Sequence, residues 1–331
     1  MISYTKNVRA LGLCSGGLDS ILSALVLRRQ GIEVEWITFE TPFFSPGKAI
    51  KASKTTGIPL TVKNITGNYI AMLKNPHCGY GKNMNPCMDC HSLMFGIAGT
   101  LMKENGFDFL FSGEVVGQRP MSQTLSSLRY VEKHSGYEGY IVRPLSAKKL
   151  PVTIPEKEGL ISREFMFGFS GRSRKPQAAL AGEFGISDYP NPAGGCLLTD
   201  KGYSRRLKDL FEHQKHFSEN ELNILKYGRH LRLNQITKII VGRNQSDNEN
   251  IERLFNPASD IMFNVNSFPG PTVVMPNGGG REIIILAASI CGGYSKAPEY
   301  SPITVNARTQ DGTETIRVLA IPPAKIGHLI I

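Results

Sequence analysis

The chain has 331 residues, of which 41% are hydrophobic and 20% charged, and a formal net charge of +10. This is the composition of an ordinary globular protein with room for two domains, and it excludes wholesale disorder. No stretch reaches the roughly 18 apolar residues of a membrane span, and the start lacks a basic segment leading into an apolar one, so the expectation is a cytoplasmic protein without a membrane partner.

The run Val8 to Leu13 is short and apolar enough for a buried parallel strand, and Leu18, Ile21, Leu22, Leu25 and Val26 then recur at helical spacing. Between them lies Ser15-Gly16-Gly17-Leu18-Asp19-Ser20. Adjacent glycines let backbone amides approach an anion, Ser15 and Ser20 add hydroxyls, and a helix N-terminus favours negative charge. The lysine of a Walker A loop is absent. The string resembles the signature of the PP-loop ATP pyrophosphatases, which split ATP between the α- and β-phosphates. That resemblance implies ATP and Mg²⁺, bound through Ser15, Gly16, Gly17, Asp19 and Ser20, with Asp19 catalytic by positioning the magnesium or the loop.

Six cysteines in a cytosolic chain are not expected to form a disulfide framework. Cys87-Met88-Asp89-Cys90 reads as a Cys-x-x-Cys pair in a loop introduced by Asn85-Pro86, and Cys196 closes Asn191-Pro192-Ala193-Gly194-Gly195. Three chemistries are open to these residues. Zinc could take Cys87 and Cys90 with Cys78, His77 or His91. An iron-sulfur cluster on Cys87, Cys90 and Cys196 would leave one iron without a protein ligand. Without metal, one cysteine could carry a persulfide that another resolves. Cys14 and Cys291 read as packing residues.

After the strand-like run Phe107 to Phe111 comes Ser112-Gly113-Glu114-Val115-Val116-Gly117-Gln118, leading to Ser122-Gln123-Thr124. Ligands of open α/β sheets sit at the carboxyl ends of strands, so this loop should face the nucleotide. With Arg143-Pro144-Leu145 it resembles the catalytic domain of tRNA 4-thiouridine synthases over roughly residues 5 to 185. The resemblance implies tRNA as acceptor, a cysteine desulfurase or sulfide as sulfur donor, and Gly113, Glu114, Gln118 and Gln123 lining the nucleotide or uridine pocket. The Cys-x-x-Cys with its distant third cysteine also looks like the cluster-dependent tRNA thiolation enzymes, which implies a [4Fe-4S] cluster on Cys87, Cys90 and Cys196.

Arg172-Ser173-Arg174-Lys175 offers phosphate contacts at the end of this region, Arg172 and Arg174 being the candidates. From Lys201 to Arg243 ten Lys/Arg face four Asp/Glu, the footprint of a polyanion partner, and Arg205 and Arg206 lie within it. Beyond, a helical stretch about Glu219 to Tyr227 precedes strand-like runs Ile236 to Val241, Asp260 to Val265 and Thr272 to Met275. Arg281 to Ser289 fits helix or strand, and Thr304 to Arg308 with Ile316 to Ala320 fit a hairpin around Asp311-Gly312. The strings Val241 to Glu249 and Phe268 to Pro271 resemble the RNA-binding domain of NFACT proteins, which implies RNA contacts at Arg243 and Asn244.

The expected architecture is α/β: a Rossmann-like (HUP/PP-loop) parallel sheet with flanking helices over 1–185, a linker with Cys196 and a basic helix over 186–220, and a smaller α+β RNA-binding domain over 221–331. The expected activity is ATP-dependent tRNA sulfur transfer to an adenylated uridine carbonyl. Two alternatives are a PP-loop ligase or amidase using a nitrogen nucleophile with structural zinc, and a non-catalytic RNA-binding protein.

Overall fold

The computed structural model describes residues 7–189 and 195–331. Pro190 and the Asn191 to Gly194 part of the string before Cys196 lie outside the described residues. The chain divides into two compact units, Met1–Thr199 and Asp200–Ile331.

In the first unit, strands β1 (Arg9–Leu13), β2 (Glu33–Glu40), β3 (Leu60–Asn64), β4 (Phe109–Ser112) and β5 (Ile141–Val142) alternate with helices. The helices are α1 (Leu18–Arg28), α2 (Gly47–Thr56), α3 (Thr66–Lys74), α4 (Cys87–Glu104), α5 (Leu125–Ser135), α6 (Ile154–Lys157) and α7 (Lys175–Glu183). The sheet runs β3-β2-β1-β4-β5 and every pairing is parallel. This is the Rossmann-like sheet with flanking helices that the sequence predicts. Central strands of such a sheet are covered on both faces, which is why β4 is apolar through Phe109, Leu110 and Phe111, all buried. Leu22 and Leu27 of α1 pack with Trp36, Phe109 and Phe111 in the core.

The second unit contains α8 (Lys201–His213), α9 (Glu219–Ile224), β6 (Arg229–Arg232), β7 (Lys238–Val241), α10 (Gln245–Leu254), β8 (Ile261–Val265), β9 (Val273–Met275), α11 (Arg281–Gly293), β10 (Pro302–Thr309) and β11 (Gly312–Leu319). Its sheet, β11-β10-β8-β9-β7-β6, is antiparallel throughout. Arg281 to Ser289 resolves as helix: Ala287, Ala288, Ile290 and Cys291 are buried in the core against Phe263 and Val305. The Asp311-Gly312 hairpin forms, with Thr309 opposite Gly312. Strand β6 was not legible because Arg229 and Arg232 interrupt its apolar pattern; it forms by pairing with the fully buried β7. No helix among the described residues is long and apolar enough to cross a membrane.

Candidate active site

Strands β1 and β4 are neighbours, yet β2 and β3 extend from one side of them and β5 from the other. Such a reversal opens a crevice at the carboxyl ends of the two strands, where ligands of open α/β sheets bind. Each strand delivers one of the strings singled out in the sequence.

From β1 the chain turns through Ser15–Gly17 into α1. Gly16 has φ +71, and a Cβ there would lie 2.2 Å from the Lys48 carbonyl carbon, so glycine is required twice over. No side chain caps the N-terminus of α1 at Gly17. The Ser20 amide already donates to the Gly17 carbonyl at 3.1 Å, which leaves the Leu18 and Asp19 amides for an anion. Ser15 is exposed and accepts from the Gly17 amide at 3.3 Å, keeping its own proton to give. Ser20 behaves differently: it is buried and donates to the Gly17 carbonyl at 2.8 Å, bracing the loop from inside. Cys14 packs beside Ser20, and burial pushes its thiol up to about 11, in keeping with a packing role.

The loop after β4 rests directly on α1. A Cβ at Gly113 would fall 2.4 Å from the Asp19 carbonyl carbon, so this contact closes only with glycine. Gln118 then donates its side-chain amide to Asp19 Oδ2 at 2.7 Å and accepts from Gln177 of α7 at 3.0 Å. Asp19 Oδ1, Gln123 Oε1, Gln177 Oε1 and Arg174 Nε are buried with no partner among the described residues. Buried polar atoms are nearly always paired, and two of these unpaired ones, on Asp19 and Gln177, belong to the hydrogen-bonded chain that Gln118 makes at the phosphate loop. The buried, unpartnered oxygen of Asp19 fits a Mg²⁺ ligand.

Glu114 is buried, with Arg143 Nε at 2.9 Å from Oε2 and His91 Nδ1 at 2.8 Å from Oε1. Burial alone would raise its carboxyl, but the Arg143 guanidinium and His91 outweigh it and hold the group at about 2. Arg143, 2% exposed, also pairs with Glu132 of α5. Glu114 is thus a fixed anion that orients His91.

The Cys-x-x-Cys pair is not in a loop. Pro86 caps α4, and Cys87 to Cys90 form its first turn, because proline is pre-organised for a helix start as readily as for a turn. The i, i+3 spacing sets the two cysteines on one helix face. Asn85 donates to Cys87 Sγ at 3.3 Å, and the buried Tyr69 hydroxyl of α3 bonds to the Cys90 thiol. Cys196 arrives from 106 residues away. Its segment is tied down where Leu197 N donates to the Phe43 carbonyl at 3.0 Å and Asn83 Nδ2 donates to the Thr199 carbonyl at 2.7 Å. The thiols of Cys87, Cys90 and Cys196 act on one another and on Tyr69 electrostatically. Removal from water pushes Cys90 well above the ordinary thiol range and Cys196 up to about 11. Three cysteine sulfurs are soft donors, the residue type that a thiolate-bound metal group takes.

The companions offered by spacing do not join this trio. His91 is committed to Glu114, while His77 and Cys78 gather with Asp89. Tyr69 and Asn85 were missed, since a tyrosine in a helix and an asparagine before proline carry no signal of a thiol contact.

The candidate RNA residues are dispersed. Arg172 is exposed, and Arg174 half-buried at the start of α7. On α8, Arg205 is exposed and Arg206 donates to the Leu225 carbonyl at 2.8 Å. Arg243 forms an ion pair with Asp247 at 2.6 Å, and Asn244 caps α10 by accepting from the Asp247 amide at 2.9 Å.

Residues 5–150 match the family described as thiamine biosynthesis protein (ThiI), and residues 228–330 match the NFACT protein RNA binding domain. A probable tRNA sulfurtransferase of Acholeplasma laidlawii is 29% identical over 143 residues, covering 41% of this chain and 34% of that protein. The tRNA-specific 2-thiouridylase MnmA of Desulforudis audaxviator is 30% identical over 103 residues, covering 30% of each. Among solved structures, a predicted subunit of tRNA methyltransferase from Methanocaldococcus jannaschii is 20% identical, covers 53% of this chain and 76% of its own, and superposes with a TM-score of 0.36. The chain spans about a third of the length of the curated relatives. It joins a ThiI-like PP-loop domain to an NFACT-like domain in one polypeptide.

Proposed function

We propose that the protein is an ATP-dependent tRNA sulfurtransferase. The observation that carries this reading is that the loop after β4 holds both the phosphate loop and the helix that begins with the cysteine pair. Asp19 is bonded to Gln118, and Glu114 of the same loop to His91, the residue after Cys90.

ATP would lie over the uncapped start of α1, its phosphates meeting the first-turn amides and the Ser15 hydroxyl. Asp19 would hold Mg²⁺ through Oδ1, with Gln118 fixing the other oxygen; the ion supplies charge neutralisation as pyrophosphate departs. The acceptor is a uridine carbonyl oxygen, which would attack the α-phosphate and expel pyrophosphate; sulfide-level sulfur would then add to the carbon and AMP would leave, carrying the original oxygen. Gln123 and Gln177, with buried oxygens to satisfy, would read the polar edge of the nucleotide or the base. Cys87, Cys90 and Cys196 would carry the sulfur. Three cysteines leave one iron of a cluster without a protein ligand, and a cluster bound there would supply reduced sulfur; a persulfide on one cysteine, resolved by another, is the metal-free alternative. Tyr69 orients Cys90, and Glu114 sets the tautomer of His91 with Nε2 turned away from it. The NFACT-like unit and its basic surplus would hold the tRNA by phosphate contacts.

Purified protein given ATP and unmodified tRNA should release pyrophosphate only when tRNA is present. Release that is indifferent to tRNA, or that depends on ammonia or an amino acid, would point instead to a nitrogen nucleophile.

A further inference from the structure

A second set of ligating side chains stands beside the cysteine trio. His77, Cys78 and Asp89 each offer one ligand atom, and these atoms all lie within 4.8 Å of one another. The hydroxyl of Tyr130 on α5 sits among them, 2.9 Å from His77 Nδ1 and 3.4 Å from Asp89 Oδ1, and in hydrogen-bond contact with Cys78. The His134 ring stacks on Tyr130 with centroids 3.7 Å apart.

The three ligand atoms converge from two segments, His77-Cys78 and the first turn of α4, at a spacing one ion can span. Asp89 is 7% exposed, and its Oδ2 accepts from the Cys78 amide at 2.8 Å. This is the backbone support that ligating carboxylates carry. His77 and Cys78 are exposed, which gives an ion a path in from solvent. One nitrogen, one sulfur and one oxygen form a borderline donor set suited to zinc, and three protein ligands leave a fourth position open.

We propose that His77, Cys78 and Asp89 bind one zinc-class divalent ion, with the Tyr130 oxygen beside its fourth position. Asp89 lies between Cys87 and Cys90 in the first turn of α4, so the ion pins the segment carrying His77 and Cys78 to the turn that presents the trio. The site is separate from the trio and does not depend on the activity proposed above.

Cobalt(II) is the probe, added anaerobically to protein with Cys87→Ser, Cys90→Ser and Cys196→Ser, whose fold is checked by circular dichroism. One equivalent should bind with a sulfur-to-cobalt charge-transfer band that zinc abolishes. Adding Cys78→Ser should remove the band, and adding His77→Ala should weaken binding at least about tenfold. No bound cobalt in folded protein, or a band that survives Cys78→Ser, overturns the site. Should the serine background fail to fold, zinc content settles it in the otherwise unaltered chain. Cys78→Ser should lower it by one equivalent per protein with iron content unchanged, and equal zinc in both proteins overturns the proposal.

Discussion

Gln118 donates to Asp19 across 99 residues of sequence at 2.7 Å, joining the loop after β4 to the phosphate loop after β1. The carboxylate cannot turn freely while that bond holds. Gln118→Leu should therefore slow tRNA-dependent pyrophosphate release by about 100-fold, the usual cost of a misplaced group near the reacting atoms, while ATP binding by calorimetry changes little. A variant with the parent rate would show that Asp19 needs no such support.

Gly113→Ala tests the same junction sterically. Its methyl would meet the Asp19 backbone at 2.4 Å, and both loops are anchored on strands, so neither yields cheaply. Urea denaturation should register a loss of about 1–3 kcal/mol, as for other overpacked sites. Gly106, with nothing within 4 Å of an added Cβ, is not a substitute control because its φ is +68. Gly182, with open space and no positive φ, is, and Gly182→Ala should leave stability within about 1 kcal/mol of the parent or raise it.

The Arg143–Glu114 pair predicts an acid-labile stability. Glu114 is held at about 2 when folded against an ordinary value of 4.5, so the folded state favours its ionised form. The stabilisation is complete above about 4.5 and drains away as pH falls towards 2. Glu114→Gln should flatten the stability profile in that window. Arg143→Met leaves the buried Glu114 carboxylate without its guanidinium, held only by His91 and the Ser112 hydroxyl, and should cost about 3–5 kcal/mol at neutral pH. An unchanged acid limb in Glu114→Gln would mean that other carboxylates govern it.

Lys238 predicts a gain. It is 4% exposed in β7, its ammonium has no partner among the described residues, and burial lowers its pKa to about 8 although Asp209 opposes the shift. A base depressed in the folded state penalises folding wherever it must still be protonated. Lys238→Met should raise stability by on the order of 1–3 kcal/mol at pH 7. The advantage should be full below about 8 and shrink as pH rises towards 10.5, which thermal melts across that range would reveal. A destabilised variant at pH 7 would show that the charge is used.

Much of the fold is written locally. Val8 to Leu13 and the spacing from Leu18 to Val26 announce strand and helix because both are buried on the expected faces. The helix beginning at Cys87 was hidden because Asn85-Pro86 signals a turn as strongly as a helix start. Cys87 and Cys90 are local in sequence, but the placing of the Cys196 segment depends on Leu197 bonding to Phe43 and Asn83 to Thr199, contacts with no periodic signature. The same holds for Tyr69 at Cys90. His77 and Cys78 lie as close to Cys87 in sequence as a zinc ligand should, yet the Cys78 amide is drawn to Asp89, and chain spacing cannot foresee that preference.

Sulfur transfer to tRNA through Cys87, Cys90 and Cys196 is read out by mass spectrometry of tRNA nucleosides. A strain lacking the gene should lose a thiolated uridine, regain it with the intact chain, and fail to regain it with Cys90→Ala or Cys196→Ala. Thiolated nucleosides at parental levels in the deletion strain would rule out tRNA thiolation by this protein, and full rescue by both cysteine variants would rule out the sulfur role of the trio.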